Sequence, residues 1–307
     1  MVRAMATEKP NHTIELMLLL VLAGLWGASY SFIKVGVASI PPVTLIAGRT
    51  LIAGALLSAV LRARGVALPR DLATWRRFAI QAGLNSVVPF TMIAWAEQRV
   101  DAGLAVILNS TAPIFVFLLT ALITRHEPAT GRKLFGVAAG LVGISLIVGV
   151  GAFTSLGDAL SAQLAIVAAT VCYAGAAIFG RGFRKLDPML PAAGSLLSGA
   201  LVLVPLSLVV DRPWTLTPSS DSLLALLGLS VFSTALALVI YFRLVATLGS
   251  VGATAQAYLR VPVGVAIGVM WLGERLPPTA WAGLACVIAG VAAMTVPARA
   301  PTLRATG

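Results

Sequence analysis

Along the chain, continuous apolar runs of 19 to 26 residues alternate with short polar joints. The runs fall at 14–38, 42–62, 76–98, 101–123, 132–150, 158–182, 189–210, 221–246, 250–272 and 278–297. About 20 apolar residues in a helix cross a hydrocarbon core about 30 Å thick. Membrane strands would instead alternate in units of about ten residues. The pattern therefore predicts an all-α integral membrane protein with ten transmembrane helices. Pro41-Pro42, Pro188 and Pro277-Pro278 stand at predicted helix starts, where a missing N–H costs little. The first run is too long for a signal peptide and is interrupted by Ser29, Ser31 and Lys34.

Composition supports this reading. Of 307 residues, 59% are apolar and 11% charged, against roughly 25% charged in a soluble globular protein. A soluble enzyme, a disordered chain and a secreted disulfide scaffold are excluded. The net charge of +11 does not point to nucleic acid, because the cations sit in joints between apolar runs, where they set orientation. With a cytoplasmic N-terminus, 16 of the 22 Lys and Arg residues fall on the cytoplasmic side. Only Lys34, Arg99, Arg212 and Arg275 fall outside, and Arg49 and Arg260 lie within helices. Both termini are expected to be cytoplasmic. Cys172 and Cys286 lie inside apolar runs and read as packing residues; no metal spacing is present.

The two halves resemble each other. Residues 103–113 (GLAVILNSTAP) match 252–262 (GATAQAYLRVP) at an offset of 149. Glu127, Gly136, Ala138 and Gly143 match Glu274, Gly283, Ala285 and Gly290 at an offset of 147. Five helices per half is an odd number, so the second half enters the membrane from the opposite side and the repeat is inverted. The expected organisation is a cytoplasmic tail (1–13), a first five-helix repeat (14–150), a second (158–297) and a second cytoplasmic tail (298–307). Inverted repeats belong mainly to secondary transporters, with the substrate near the midplane between the halves.

Candidate substrate-binding residues follow from depth. Arg260 is ten residues into its run, about 15 Å deep, where a charge should face a cavity or a partner. Gln256 lies one turn away on the same face. The pair could hold an anionic group; the alternative for Arg260 is a structural bond to a carbonyl freed by Pro262. Asn85 and Asn109 sit near mid-depth and could meet substrate or join helices. Trp26 and Tyr30 share a helix face away from the interfacial belts, and Tyr258 lies roughly opposite Arg260. Trp75, Trp95, Trp271 and Trp281 lie nearer helix ends and are expected to be belt anchors. Arg49 is expected to pair with Glu97 or Asp101, with substrate binding as the alternative. Gly136, Gly140, Gly143, Gly283 and Gly290 are expected to let helices pack closely.

The eleven acids and two histidines all avoid mid-membrane. A pump with a buried carboxylate relay is therefore disfavoured. A downhill exporter, or coupling at the rim through Glu97 or Asp101, fits better. No HExxH, no G-x-S-x-G elbow and no repeated selectivity element occurs, which disfavours an intramembrane enzyme or a channel. No catalytic residue, metal or cofactor is expected. The expected partners are a small-molecule substrate and the bilayer, with a monomer as the favoured state.

Residues 25–57, with Leu25-Trp26-Gly27, Lys34, Pro42 and Arg49, resemble the opening of the EamA family of the drug/metabolite transporter superfamily. The run from Ala102 to Glu127, followed by Gly136 and Gly143, resembles the end of the same repeat, and Gly273-Glu274-Arg275 with Gly283 and Gly290 restates it. The chain departs from that pattern at Arg125-His126-Glu127, at Ser195 in place of a second Arg49, and at Arg260. The resemblance implies ten helices, an inverted repeat and metabolite transport, commonly export from the bacterial cytoplasm across the inner membrane. Within the family, overall similarity is nearest to the YddG-type amino-acid exporters. One arginine, amides and aromatic rings suit amino acids, aromatic ones included. Sugar-phosphate, nucleotide-sugar or drug transport of the same superfamily is the alternative.

Overall fold

The computed structural model describes residues 12–119, 130–148, 158–183, 185–254 and 256–295. These residues are helical, with no strand among them. The helices are α1 (His12–Gly36), α2 (Pro42–Ala63), α3 (Leu72–Ala82), α4 (Val88–Ala96), α5 (Ala102–Asn109), α6 (Ala112–Leu119) and α7 (Gly131–Val148). Then follow α8 (Asp158–Gly180), α9 (Met189–Val210), α10 (Ser220–Ser230), α11 (Ala237–Thr254), α12 (Gln256–Trp271) and α13 (Pro278–Thr295). Among the described residues, seven helical stretches are long and apolar enough to cross a membrane, and Leu134–Leu146, Leu259–Trp271 and Pro278–Gly290 are shorter apolar helices.

Local chemistry explains the ends. Pro42 and Pro278 open α2 and α13. Asp71 caps α3 by accepting the Thr74 N–H at 2.7 Å. That backbone donation, then the Thr74 side chain, holds the Asp71 carboxyl below its usual range. Ser219 caps α10, accepting the Ser222 N–H.

Two interruptions were not anticipated from the sequence. The helix from Leu72 to Ala96 passes through a π-helical turn at Gly83–Val87, and the helix from Ser220 to Leu244 through another at Val231–Leu236. In the first, Pro89 has no N–H to give and crowds the carbonyl of residue 85, which the wider turn relieves. In the second, Thr234 Oγ1 donates to the Leu229 carbonyl, filling the widened ladder. The two turns stand at corresponding places in the two repeats.

The run expected at 101–123 is broken between Asn109 and Ala112, where Ser110 and Thr111 turn their hydroxyls onto the Ile107 and Leu108 carbonyls just before Pro113. Conversely, α11 runs on to Thr254 rather than stopping near residue 246; no proline stands there, and Thr247 bonds back to the Arg243 carbonyl.

Packing respects exchange of the repeats. α1 packs on α12 and α10; its counterpart α8 packs on α6 and α4. α2 pairs with α9, and α7 with α13. Glycines set two of these crossings. A Cβ on Gly27 would lie 2.8 Å from the Arg260 carbonyl oxygen and 3.0 Å from the Gly264 nitrogen. A Cβ on Gly290 would lie 2.6 Å from the Gly136 oxygen, and one on Gly143 2.8 Å from the Gly283 oxygen. The expected glycine contacts of α7 and α13 are thus main chain against main chain. Leu45, Ile46, Ile107, Leu108 and Ile166 are fully enclosed in the core, while Leu201, Val209, Leu224 and Met270 point outward, as lipid-facing residues do.

Candidate functional site

A cavity of about 890 Å³ lies between the repeats. At one end it is lined by Arg181, Leu186 and Pro188, beside the joint between α8 and α9. At the other it is lined by Tyr30, Arg49 and Asn109, all buried. Trp26, Ser29 and Tyr30 of α1 line it, but Ile33 and Lys34, one turn on, do not. Beyond Tyr30 the bundle is closed.

Both π turns serve the cavity. Asn85 comes from the first, Ser233 and Thr234 from the second. A π turn places an extra residue in one turn and re-aims side chains, and such turns recur at functional sites.

Of the residues predicted from the sequence, Trp26, Tyr30, Asn85, Asn109 and Arg260 are brought together on the cavity wall. Asn109 Nδ2 donates to the Tyr30 hydroxyl, leaving Asn109 Oδ1 without a donor. Arg260 Nε is buried with no hydrogen-bond partner. The carbonyl freed by Pro262 has therefore not captured that nitrogen. Trp26 packs against Tyr241, the rings tilted by 43° with 5.4 Å between centroids. Gln256 and Tyr258 stand on the first turn of α12, but their side chains lie outside what the structure describes.

Arg49 differs from expectation. Its Nε donates to Thr234 Oγ1 at 3.0 Å, and its guanidinium lies 3.8 Å above the Phe90 ring. Neither Glu97 nor Asp101 is within ion-pair distance of it. The cause is local: α2 packs beside the second π turn, which brings Thr234 to the arginine first. Arg49 thus joins the cavity wall as a second deep cation, and Arg181 adds an exposed one at the far end. No acidic residue lines the cavity among the described residues.

Sequence reasoning missed Gln81, Phe90, Tyr173 and Tyr241 on the wall. The tryptophans near helix ends vary: Trp271 and Trp281 are exposed, whereas Trp75 donates to the Pro69 carbonyl at 2.8 Å and Trp95 lies under Arg99.

The closed end is held by polar contacts. Lys34 Nζ donates to the carbonyls of Glu97 and Val100, each at 2.8 Å. Glu274 accepts the N–H groups of Ala102 and Gly103 at 2.7 and 2.8 Å, capping α5 from the other repeat. Gly273, at φ +68°, makes the turn that delivers it. Ser222 Oγ donates to the Val35 carbonyl, Ser39 meets Ser219, and the Thr44 N–H and hydroxyl donate to Asp211.

Two helical repeats with a cavity between them, apolar in most of its lining and carrying a few polar groups, define a two-repeat membrane carrier. Residues 13–149 and 160–296 each match the EamA-like transporter family, and the chain belongs to that family. It is 30% identical over 275 residues to the uncharacterised inner membrane transporter YedA of Escherichia coli (strain K12), covering 89% of this chain and 87% of that protein. It is 27% identical over 275 residues to the "Probable terminal-alkyne amino-acid exporter" of Streptantibioticus cattleyicolor, covering 87% and 88%. A solved crystal structure at 19% identity superimposes with a TM-score of 0.65 over 92% of this chain and 96% of that one, which shows the shared fold. The two family matches begin 147 residues apart, at 13 and 160. Counting that distance from Trp26 arrives at Tyr173, so the repeat could have found this wall residue.

Proposed function

We propose that this transporter exports small carboxylate-bearing metabolites, amino acids including aromatic ones foremost, across the bacterial inner membrane by alternating access. The observation that carries this reading is the buried, unpartnered Nε of Arg260 on the cavity wall. An arginine with a buried N–H left without a partner is suited to a carboxylate, bound through charge-assisted hydrogen bonds. Asn109 Oδ1 lacks a donor, as an amino-acid nitrogen would supply. Trp26, Phe90, Tyr173 and Tyr241 provide apolar walls for a side chain.

The reading takes the apolar helices as ten spans in two inverted repeats, 14–150 and 158–297, with both termini cytoplasmic. The end of the cavity at Arg181 and Pro188 then lies on the cytoplasmic side, beside basic joints. The cavity faces inward, ready to load, and the Lys34 end forms the outer seal.

A second reading, transport of phosphorylated metabolites, is favoured by one observation: Arg49 and Arg181 join Arg260 on the wall. A hydrophobic cation is disfavoured by the same three arginines.

Counterflow in proteoliposomes tests the choice, using a panel of labelled amino acids, sugar phosphates and an organic cation. Exchange of phenylalanine or tryptophan is expected. Exchange restricted to phosphorylated compounds would move the assignment to the second reading, and exchange of the cation alone would refute both.

A further inference from the structure

Glu97 lies outside the cavity, at the end of α4, and is fully buried. Neither carboxyl oxygen has a hydrogen-bond partner. The nearest cation, Lys34, gives its amine to the main-chain carbonyls of Glu97 and Val100 instead. Arg49 is held by Thr234 and Phe90. Glu274 is another carboxylate of the seal, and its oxygens are taken by the α5 N-terminus. The titratable groups facing Glu97 are therefore Lys34 and Tyr30 from α1, Arg49 from α2 and Glu274 from the α12–α13 joint; Asp101, at the start of α5, is half-buried.

A buried ionised carboxylate whose oxygens find no hydrogen-bond partner is far costlier than the neutral acid; Lys34 and Arg49 favour ionisation and Glu274 opposes it, and burial outweighs the two cations. Opening the outer seal would separate the helix ends around Glu97 and admit water, which reverses that preference.

We propose that Glu97 is a proton-binding site that couples the outer seal to the proton: its carboxyl is neutral while the seal is shut and ionised when it parts. On opening, the carboxyl O–H bond breaks, its electron pair stays on the carboxylate and the proton passes to water. On closing, the same oxygen takes a proton back. One proton is exchanged for each opening of the seal, and acid favours the shut form. Tyr30 and Arg49 line the cavity and also lie within electrostatic reach of Glu97, so the proton site and the substrate site share two neighbours without overlapping. This proposal rests on the alternating-access reading only in that the seal opens, and its test needs no substrate.

Cysteines at Ala38 and Ser220, in a C172A/C286A background, flank the seal without removing the Ser39–Ser219 contact. With nitroxide labels there and the full chain in nanodiscs, pulsed electron paramagnetic resonance reads the distance between about pH 5 and pH 9. A short distance should dominate in acid. A longer one should grow with pH, the ratio changing by up to about tenfold per pH unit, the limit for one linked proton. Glu97→Gln, an isostere of the neutral acid, should fold normally and keep the short distance throughout, while Asp101→Asn should keep the parent response. A distance that ignores pH, a response that survives Glu97→Gln, or a Glu97→Gln protein that fails to fold would each overturn the proposal. Failure of the amino-acid panel would leave these results untouched.

Discussion

Asn109 donates its amide to the Tyr30 hydroxyl across the interior, joining α5 to α1 at the deep end of the cavity. Tyr30→Phe removes that acceptor and leaves a buried amide unsatisfied at both ends. The expected loss of stability is about 1–3 kcal/mol. Adding Asn109→Leu should recover part of it, because no polar group is then stranded. Thermal unfolding of the two single variants and the double variant in one detergent gives the coupling; simple additivity would show that the bond contributes nothing.

Arg260→Ala should weaken exchange of phenylalanine by about tenfold to over a hundredfold, matching about 1.5–3 kcal/mol for a charge-assisted contact. Arg260→Lys should restore part of it, keeping the charge but not the planar fork. Yield and melting temperature should stay near the parent values, since Arg260 Nε holds no protein group. Normal affinity in a well-folded Arg260→Ala protein would remove this residue from the site.

Gly24 and Gly27 lie one turn apart on α1, yet their surroundings differ. A Cβ at Gly24 meets nothing within 4 Å, whereas one at Gly27 meets α12 main chain at 2.8 Å. Gly27→Ala should therefore destabilise by about 1–3 kcal/mol, the usual cost of overpacking. Gly24→Ala should be neutral or slightly stabilising, since alanine favours the helix. Equal melting temperatures for the two variants would show that the crossing is looser than the geometry implies.

The topology reading makes a direct prediction. Cysteines placed at Arg3 and at Arg304, in the same cysteine-free background, should resist a membrane-impermeant thiol reagent in intact cells and react after lysis. Labelling of either in intact cells would end the inverted ten-span arrangement.

Much of this fold was legible because lipid imposes one simple rule, continuous apolar helices, and the repeat doubled every signal. Arg260 and Asn109 stood out because a charge or an amide at mid-depth needs a reason. Arg49 was legible as a buried cation, with the cavity wall only as the alternative to an ion pair. Its partner was sought among carboxylates, whereas Thr234 and Phe90 reach it first through a π turn. Such turns depend on which backbone bonds give way near a proline or a hydroxyl, and hydropathy carries no trace of that competition. Glu97 was placed at the rim by counting residues. Its enclosure arises from segments of both repeats meeting around it, with Lys34, Arg49 and Glu274 all nearby, a tertiary fact with no local signature.

The contact of Gly27 with Gly264 and the Arg260 carbonyl joins two main chains directly. Side chains at a helix crossing act as soft bushings, changing rotamer to absorb displacement; here the backbones themselves meet, with the stiff, branched Val263 beside them. α1 and α12 consequently behave as one spar, with Trp26 and Tyr30 fixed to one edge and Arg260 to the other. A carrier that rocks between two faces must keep hold of its cargo while everything around it shifts. On the proposed reading, joining the aromatic jaw to the cationic jaw would keep their separation constant, so the same molecule would be recognised whichever side of the membrane the cavity addresses.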